Sequence, residues 1–199
     1  MSIISLAIKT IPDIETGRRL HQIKNLSDAG VAKAMFHLQQ QRSGSENLPL
    51  YLQRIVSIAL LIETNGKTVL HQLSLDSRGK ADEKHILQSY IQSIAEANNP
   101  KLLSWQGLSY ELPVLRYRAL KHGLSLPNSE AHQDLSQLFA DQSSTVASLS
   151  NLACLLNLDV LSSFDMPQTW QAYLAGEQDR IDQAAQAEVK VLHEIYQRI

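Results

Sequence analysis

The chain has 199 residues, 44% of them hydrophobic and 19% charged, which is ordinary for a globular protein and enough to bury a sizeable core in one domain spanning residues 1–199. Its net charge of −2 means that no overall basic field points to nucleic acid, although a local groove can be basic on a neutral protein. The single cysteine, Cys154, makes neither a disulfide framework nor a zinc site, and its place in the apolar run 152–158 predicts a buried packing thiol. Lys9 and Asp13 interrupt the opening apolar stretch, so no signal peptide is read there, and no run approaches a membrane span. A cytoplasmic protein is expected, with no membrane partner.

In chain order, the isoleucine-rich stretch 3–11 reads as a strand that Pro12 ends. Ser27 is placed to cap a helix running to about residue 41, and a polar loop follows over 42–49. Residues 54–63 form a β-branched run, and Asn65-Gly66 is a hairpin signal leading into a partner strand over 67–76. Ile86, Leu87, Tyr90, Ile91 and Ile94 recur at helical spacing within 82–98. A short strand over 101–105 comes next, broken at Gly107. A helix over 110–121 is stopped by Gly123. Smaller helices are expected around 134–140, 148–156 and 169–175, and a last one from about Asp179 to the end. The order of elements gives an α/β fold, with antiparallel hairpin strands plus a parallel strand in one mixed sheet flanked by helices. Such a fold alone assigns no function.

The stretch 102–126, LLSWQGLSYELPVLRYRALKHGLSL, is specific. It resembles the second motif of the predicted 3′–5′ exonucleases related to the proofreading domain of family B DNA polymerases. In that family a strand is followed by Asn-Gly-x-x-Phe-Asp and then Leu-Pro-x-Leu-x-x-Arg-Ala. Gln106-Gly107, Tyr110-Glu111 and Leu112-Pro113 stand in those places, with Arg116, Arg118 and Ala119 after them. His132 to Leu135 resembles the family's His-x-Asp-Leu element, and Trp170 to Gly176 its later aromatic-Leu-x-Gly element. The opening LAIKTIPD is similar to a family strand that reads Asp-x-Glu-Thr-x-Pro-Asp. The resemblance implies an RNase H-like fold of the DEDD exonuclease class.

It also implies a chemistry. Four carboxylates hold two Mg²⁺ or Mn²⁺ ions about 4 Å apart, one activating water and the other steadying the leaving oxygen. Asp and Glu at i and i+2 of a strand share one face. A third acid opens the helix after the glycine turn, and a fourth lies on the last helix, four residues after a water-orienting Tyr. On this chain the first pair falls on Ala7 and Lys9. The third acid falls on Glu111 and the fourth on Glu188. The Tyr position falls on Ala184, and a related class's His position on Gln183. Glu111 and Glu188 are thus the residual catalytic and metal positions, and with Lys9 they carry a net charge of −1 where the family has −4. Lys9 is expected to pair with one of the two acids. Asp13, Glu15 and Glu63 are the nearby acids that would have to substitute, the first two in the loop after the strand.

The same resemblance gives a nucleic-acid-binding set: Trp105, Gln106, Gly107, Tyr110, Arg116, Arg118, His132 and Asp134. Each has a plainer reading. Arg116, Arg118, Lys121 and His122 form a solvated helix face as readily as a row of phosphate contacts. Trp105 is a strand-end core residue or a base-stacking ring. His132 is a hydrogen-bonding neighbour of Asp134, and Trp170 and Tyr173 are packing residues of a short helix. Three functions stay open. One is a degenerate exonuclease that binds single-stranded nucleic acid with hydrolysis lost or impaired. Another is an active exonuclease using Mg²⁺ or Mn²⁺ at an atypical site. The third is a protein-interaction scaffold.

Overall fold

The computed structural model describes residues 2–75, 82–127, 131–140, 146–158 and 164–199. Ile3–Pro12 (β1), Gln53–Thr64 (β2) and Lys67–Ser74 (β3) form the antiparallel part of one sheet, and Lys101–Ser104 (β4) and His132–Asp134 (β5) the parallel part. The strand order is β3-β2-β1-β4-β5. The helices are Ile14–Leu20 (α1), Asp28–Ser43 (α2), Glu83–Glu96 (α3), Glu111–His122 (α4), Leu149–Leu155 (α5), Met166–Leu174 (α6) and Gln178–Gln197 (α7). This mixed sheet flanked by helices is the RNase H-like arrangement.

Local chemistry sets most boundaries. The Ser27 hydroxyl accepts from the Gly30 amide at the start of α2, and the Asp82 carboxylate from the His85 amide at the start of α3. Asn65 and Gly66 both have positive φ, as a tight two-residue hairpin requires. Gly123 closes α4 in the left-handed conformation. Two elements go beyond the sequence reading. Residues 14–20 form α1 because Asp13 accepts from the Thr16 amide and caps it. Residues 132–134, of which Asp134 alone fell in an expected helix, form β5 paired to β4, with a short 3₁₀ helix over Leu135–Phe139 after it. The expected strand end at Asp76 lies outside the described residues.

Alternation along β1 decides what faces the site. Ile4, Leu6 and Ile8 enter the core under α3 and α4. Ser5, Ala7 and Lys9 point to the opposite face, under α7. There Ala7 packs with Ala59, Leu61, Ala185 and Val189, and these small residues let α7 lie close on the sheet. A β-bulge follows at once, since Lys9 pairs with Ser57 but Thr10 with Ile55.

Charge holds the far side together. Arg118 is 2% exposed. It donates to Glu83 Oε1 at 2.7 Å and Oε2 at 2.5 Å, and to Asp13 Oδ2 at 2.5 Å. Glu83 Oε1 also accepts from the Ile55 amide, and His122 lies 2.8 Å from Glu83 Oε2. Lys121 reaches Asp13 at 2.8 Å. Burial pushes the Asp13 carboxyl up, but hydrogen bonds from Lys121 and Arg118 outweigh it and hold the group well below the usual carboxylate range. Arg118 therefore ties β1, β2, α3 and α4 together, with its guanidinium engaged by Glu83 and Asp13. Asp13 is equally committed to Arg118 and Lys121. Cys154 is exposed while its neighbours Leu152 and Ala153 are buried, so it is not a packing thiol.

Arg118→Met leaves two buried carboxylates without their main partner. It should cost about 3–5 kcal/mol of stability, whereas Arg116→Met on the exposed face of the same helix should stay within about 0.5 kcal/mol. Thermal denaturation of the two variants side by side checks this, and equal small losses would contradict the network.

Candidate active-site cleft

A cleft of about 430 Å³ opens at the end of β1 beside the bulge, and its walls include Ala7, Lys9, Trp105, Tyr110, Glu111 and Glu188. The three separate segments that carry the expected motif positions thus meet in one place. Strand β1 delivers Ala7 and Lys9, the turn after β4 delivers Trp105 to Glu111, and α7 delivers Glu188. Phe164, Met166 and Thr169 close the cleft from α6 and the segment before it, and Leu48 and Gln53 from the start of β2. No signal in the sequence pointed to those residues, because they reach the cleft through chain packing and not through a motif.

The Lys9 ammonium donates to Glu188 Oε1 at 2.6 Å and to the Phe164 carbonyl at 3.2 Å. Of the two acids, Lys9 has therefore taken Glu188. Glu111 stands apart. It is 8% exposed, and its Oε2 is buried with no hydrogen-bond partner among the described residues. Burial, together with the nearby charges of Glu188 and Asp134, pushes its carboxyl up to about 8. Burial thus disfavours the charged form of Glu111 in the cleft.

The glycine turn is built from the strand outward. Gln106 adopts φ of 59°, a region that Asn visits more readily than Gln, which matches the Asn of the family pattern. The Asp134 carboxylate accepts from the Gln106 amide at 2.8 Å and the Leu108 amide at 3.2 Å, and also from the Ser136 amide and hydroxyl. Asp134 is therefore a clamp on the turn. His132 sits 2.8 Å from the Ser104 hydroxyl, which is its plainer hydrogen-bonding role. A Cβ on Gly107 would meet Ser104 Oγ at 2.1 Å and Ser104 Cβ at 2.4 Å, so only glycine fits. Trp105 is 8% exposed, donates to the Ala147 carbonyl at 3.2 Å and tilts against Phe139, yet it also walls the cleft. The Tyr110 hydroxyl is 2.8 Å from Thr10 Oγ1. Gln106 and Arg116 are exposed. Trp170 is buried and stacks on Tyr173. Glu63 ends β2 against His193, far from the motif positions in register.

This donor set does not fit a pair of divalent ions. The position of the first acid is an alanine inside an apolar cluster, the second is an ammonium, the third is a buried Glu111, and the fourth is paired to the ammonium. Among the described residues no group of three or more His, Cys, Asp or Glu side chains is arranged to hold a metal ion.

The fold is RNase H-like, and its cleft gathers the segments that carry the expected motif positions. Residues 45–128 match the sequence model of a family described as predicted 3′–5′ exonuclease related to the exonuclease domain of PolB, in agreement with the resemblance read from 102–126. Among solved structures, the family B DNA polymerase from the hyperthermophilic archaeon Pyrobaculum calidifontis matches with a TM-score of 0.59 at 11% identity. The match covers 98% of this chain and 24% of that one, so the chain spans about a quarter of the polymerase's length, and at this identity the likeness carries the fold alone. No curated protein matches the chain. Among the described residues no helix is long and apolar enough to cross a membrane.

Between the ordinary carboxyl value and about 8, the folded chain keeps a proton on Glu111 that the unfolded chain has released. Stability contributed by that group is present at low pH and is lost as pH rises through this window. Glu111→Gln should abolish this slope and gain on the order of 2 kcal/mol, roughly 5 °C in Tm, at the alkaline end. Melting curves across the window check it, and parallel curves for the two proteins would contradict a protonated Glu111.

Proposed function

We propose that this protein holds the end of a single-stranded nucleic acid in its cleft and does not hydrolyse it. The observation that carries this reading is Lys9, whose ammonium lies 2.6 Å from Glu188 at the place where two metal-binding acids would be needed. Two-metal hydrolysis depends on a strongly anionic site that concentrates cations. A site with Ala7 and Lys9 at the first two acid positions, and with Glu188 paired to that lysine, does not supply it. Ala184 leaves the attacking water without an orienting phenol.

Binding is supported by what persists. The cleft is open and of nucleotide size, and Trp105 and Tyr110 give it aromatic walls. Gly107 and the Asp134 clamp keep the turn in shape although the chemistry beside it is gone.

A digestion assay with labelled single-stranded DNA and RNA, in Mg²⁺ and then Mn²⁺, tests the loss of hydrolysis. No shortening is expected, while fluorescence anisotropy detects salt-dependent binding of the same strands. EDTA-sensitive shortening from the 3′ end would contradict the reading, as would absence of binding at low salt.

A further inference from the structure

A phosphodiester entering a cleft must meet positive charge there, and in a two-metal nuclease the ions supply it. The walls of this cleft contain one cationic side chain among the described residues, Lys9. An ammonium carries three donors. Two are used, on Glu188 Oε1 and on the Phe164 carbonyl. The third has no acceptor among the described residues, although Lys9 is only 6% exposed and borders the open volume. Glu188, its partner, has a side chain 28% exposed, so the pair lies at the wall and not inside the core.

Besides Glu188, the acids that line the cleft are Asp165, which is exposed, and Glu111. Glu111 is more than nine-tenths buried, lines the cleft and leaves Oε2 without a partner. Lys9 is therefore the one fixed cation that the described lining of the cleft offers to a phosphate.

We infer that the Lys9 ammonium acts in this cleft as the counter-charge to phosphate, so that a single strand binds without a divalent cation. The inference rests on the binding reading above and deepens it. Lys9 sits on a strand, held from two sides, and is thus preorganised for this contact where a surface lysine would not be. Glu188 then has a definite role. It holds the ammonium in place and tempers its charge, so the two members of the pair have opposite effects on phosphate.

The test is anisotropy of a fluorescent single-stranded DNA pentamer with the whole chain, in EDTA and in Mg²⁺, for the wild type, Lys9→Gln and Glu188→Gln. The wild type should bind equally in both buffers. Lys9→Gln should bind about fivefold more weakly, and its salt slope should be shallower by about 0.7, the share of one phosphate contact. Glu188→Gln should bind more tightly, because it frees the ammonium. A pair that only holds β1 to α7 would weaken binding on losing either member and leave the slope unchanged, and that result overturns the inference. Wild-type binding that requires Mg²⁺ also overturns it while leaving the binding reading intact. No binding in either buffer overturns both. Circular dichroism establishes that each variant is folded, and the comparison of buffers needs no variant.

Discussion

Where β1 runs under α7, a lysine ammonium and a glutamate carboxylate meet at 2.6 Å. The contact joins the central strand of the sheet to the last helix at the mouth of the cleft. It fixes the charge that anything entering the cleft encounters. Next to it, Ala7, Ala59 and Ala185 bring helix and sheet into close apolar contact. An acid at position 7 would have to be buried in that cluster and would need a metal or another cation to stay ionised. Lysine at 9 and alanine at 7 are therefore mutually consistent. One provides the cation within the protein and the other closes the space that an ion's ligand would have occupied.

The protein uses buried charge in two distinct ways. Behind the sheet, Arg118 is surrounded by acceptors, and Asp13 and Glu83 each have several donors. Every member is paired, as a buried network must be if it is to stabilise. In the cleft the groups are left partly unsatisfied: a third ammonium proton and one carboxyl oxygen lack partners among the described residues. Unsatisfied polar groups cost stability and are tolerated where a ligand completes them. The contrast separates scaffold from site more sharply than the identity of any one residue.

Much of the architecture was legible in the sequence because its signals are local. The Asn65-Gly66 hairpin, the Ser27 cap and the Gly123 stop each depend on a few neighbouring atoms. The motif around Gly107 was legible for the same reason, since a strand, a glycine turn and a helix start are contiguous. Residues 132–134 misled, because three residues become a strand only through pairing with β4. The role of Arg118 was hidden because its partners lie 35 and 105 positions away. Cys154 followed the hydropathy of its run, yet one position of a seven-residue helix faces outward whatever its neighbours do. In the cleft, alignment of motifs located Ala7, Lys9, Glu111 and Glu188 together. It was the folded geometry that chose Glu188 over Glu111 as the partner of Lys9, and that buried Glu111 apart from it.

The central claim is that a side-chain cation stands in this cleft in place of divalent ions. Titration of the wild-type protein with Mn²⁺ at neutral pH, followed by the electron paramagnetic resonance signal of the free ion, addresses it directly. The account predicts that the signal grows in proportion to added Mn²⁺, with no stoichiometric uptake. One or two ions bound tightly per chain, and released in Glu111→Gln, would contradict it.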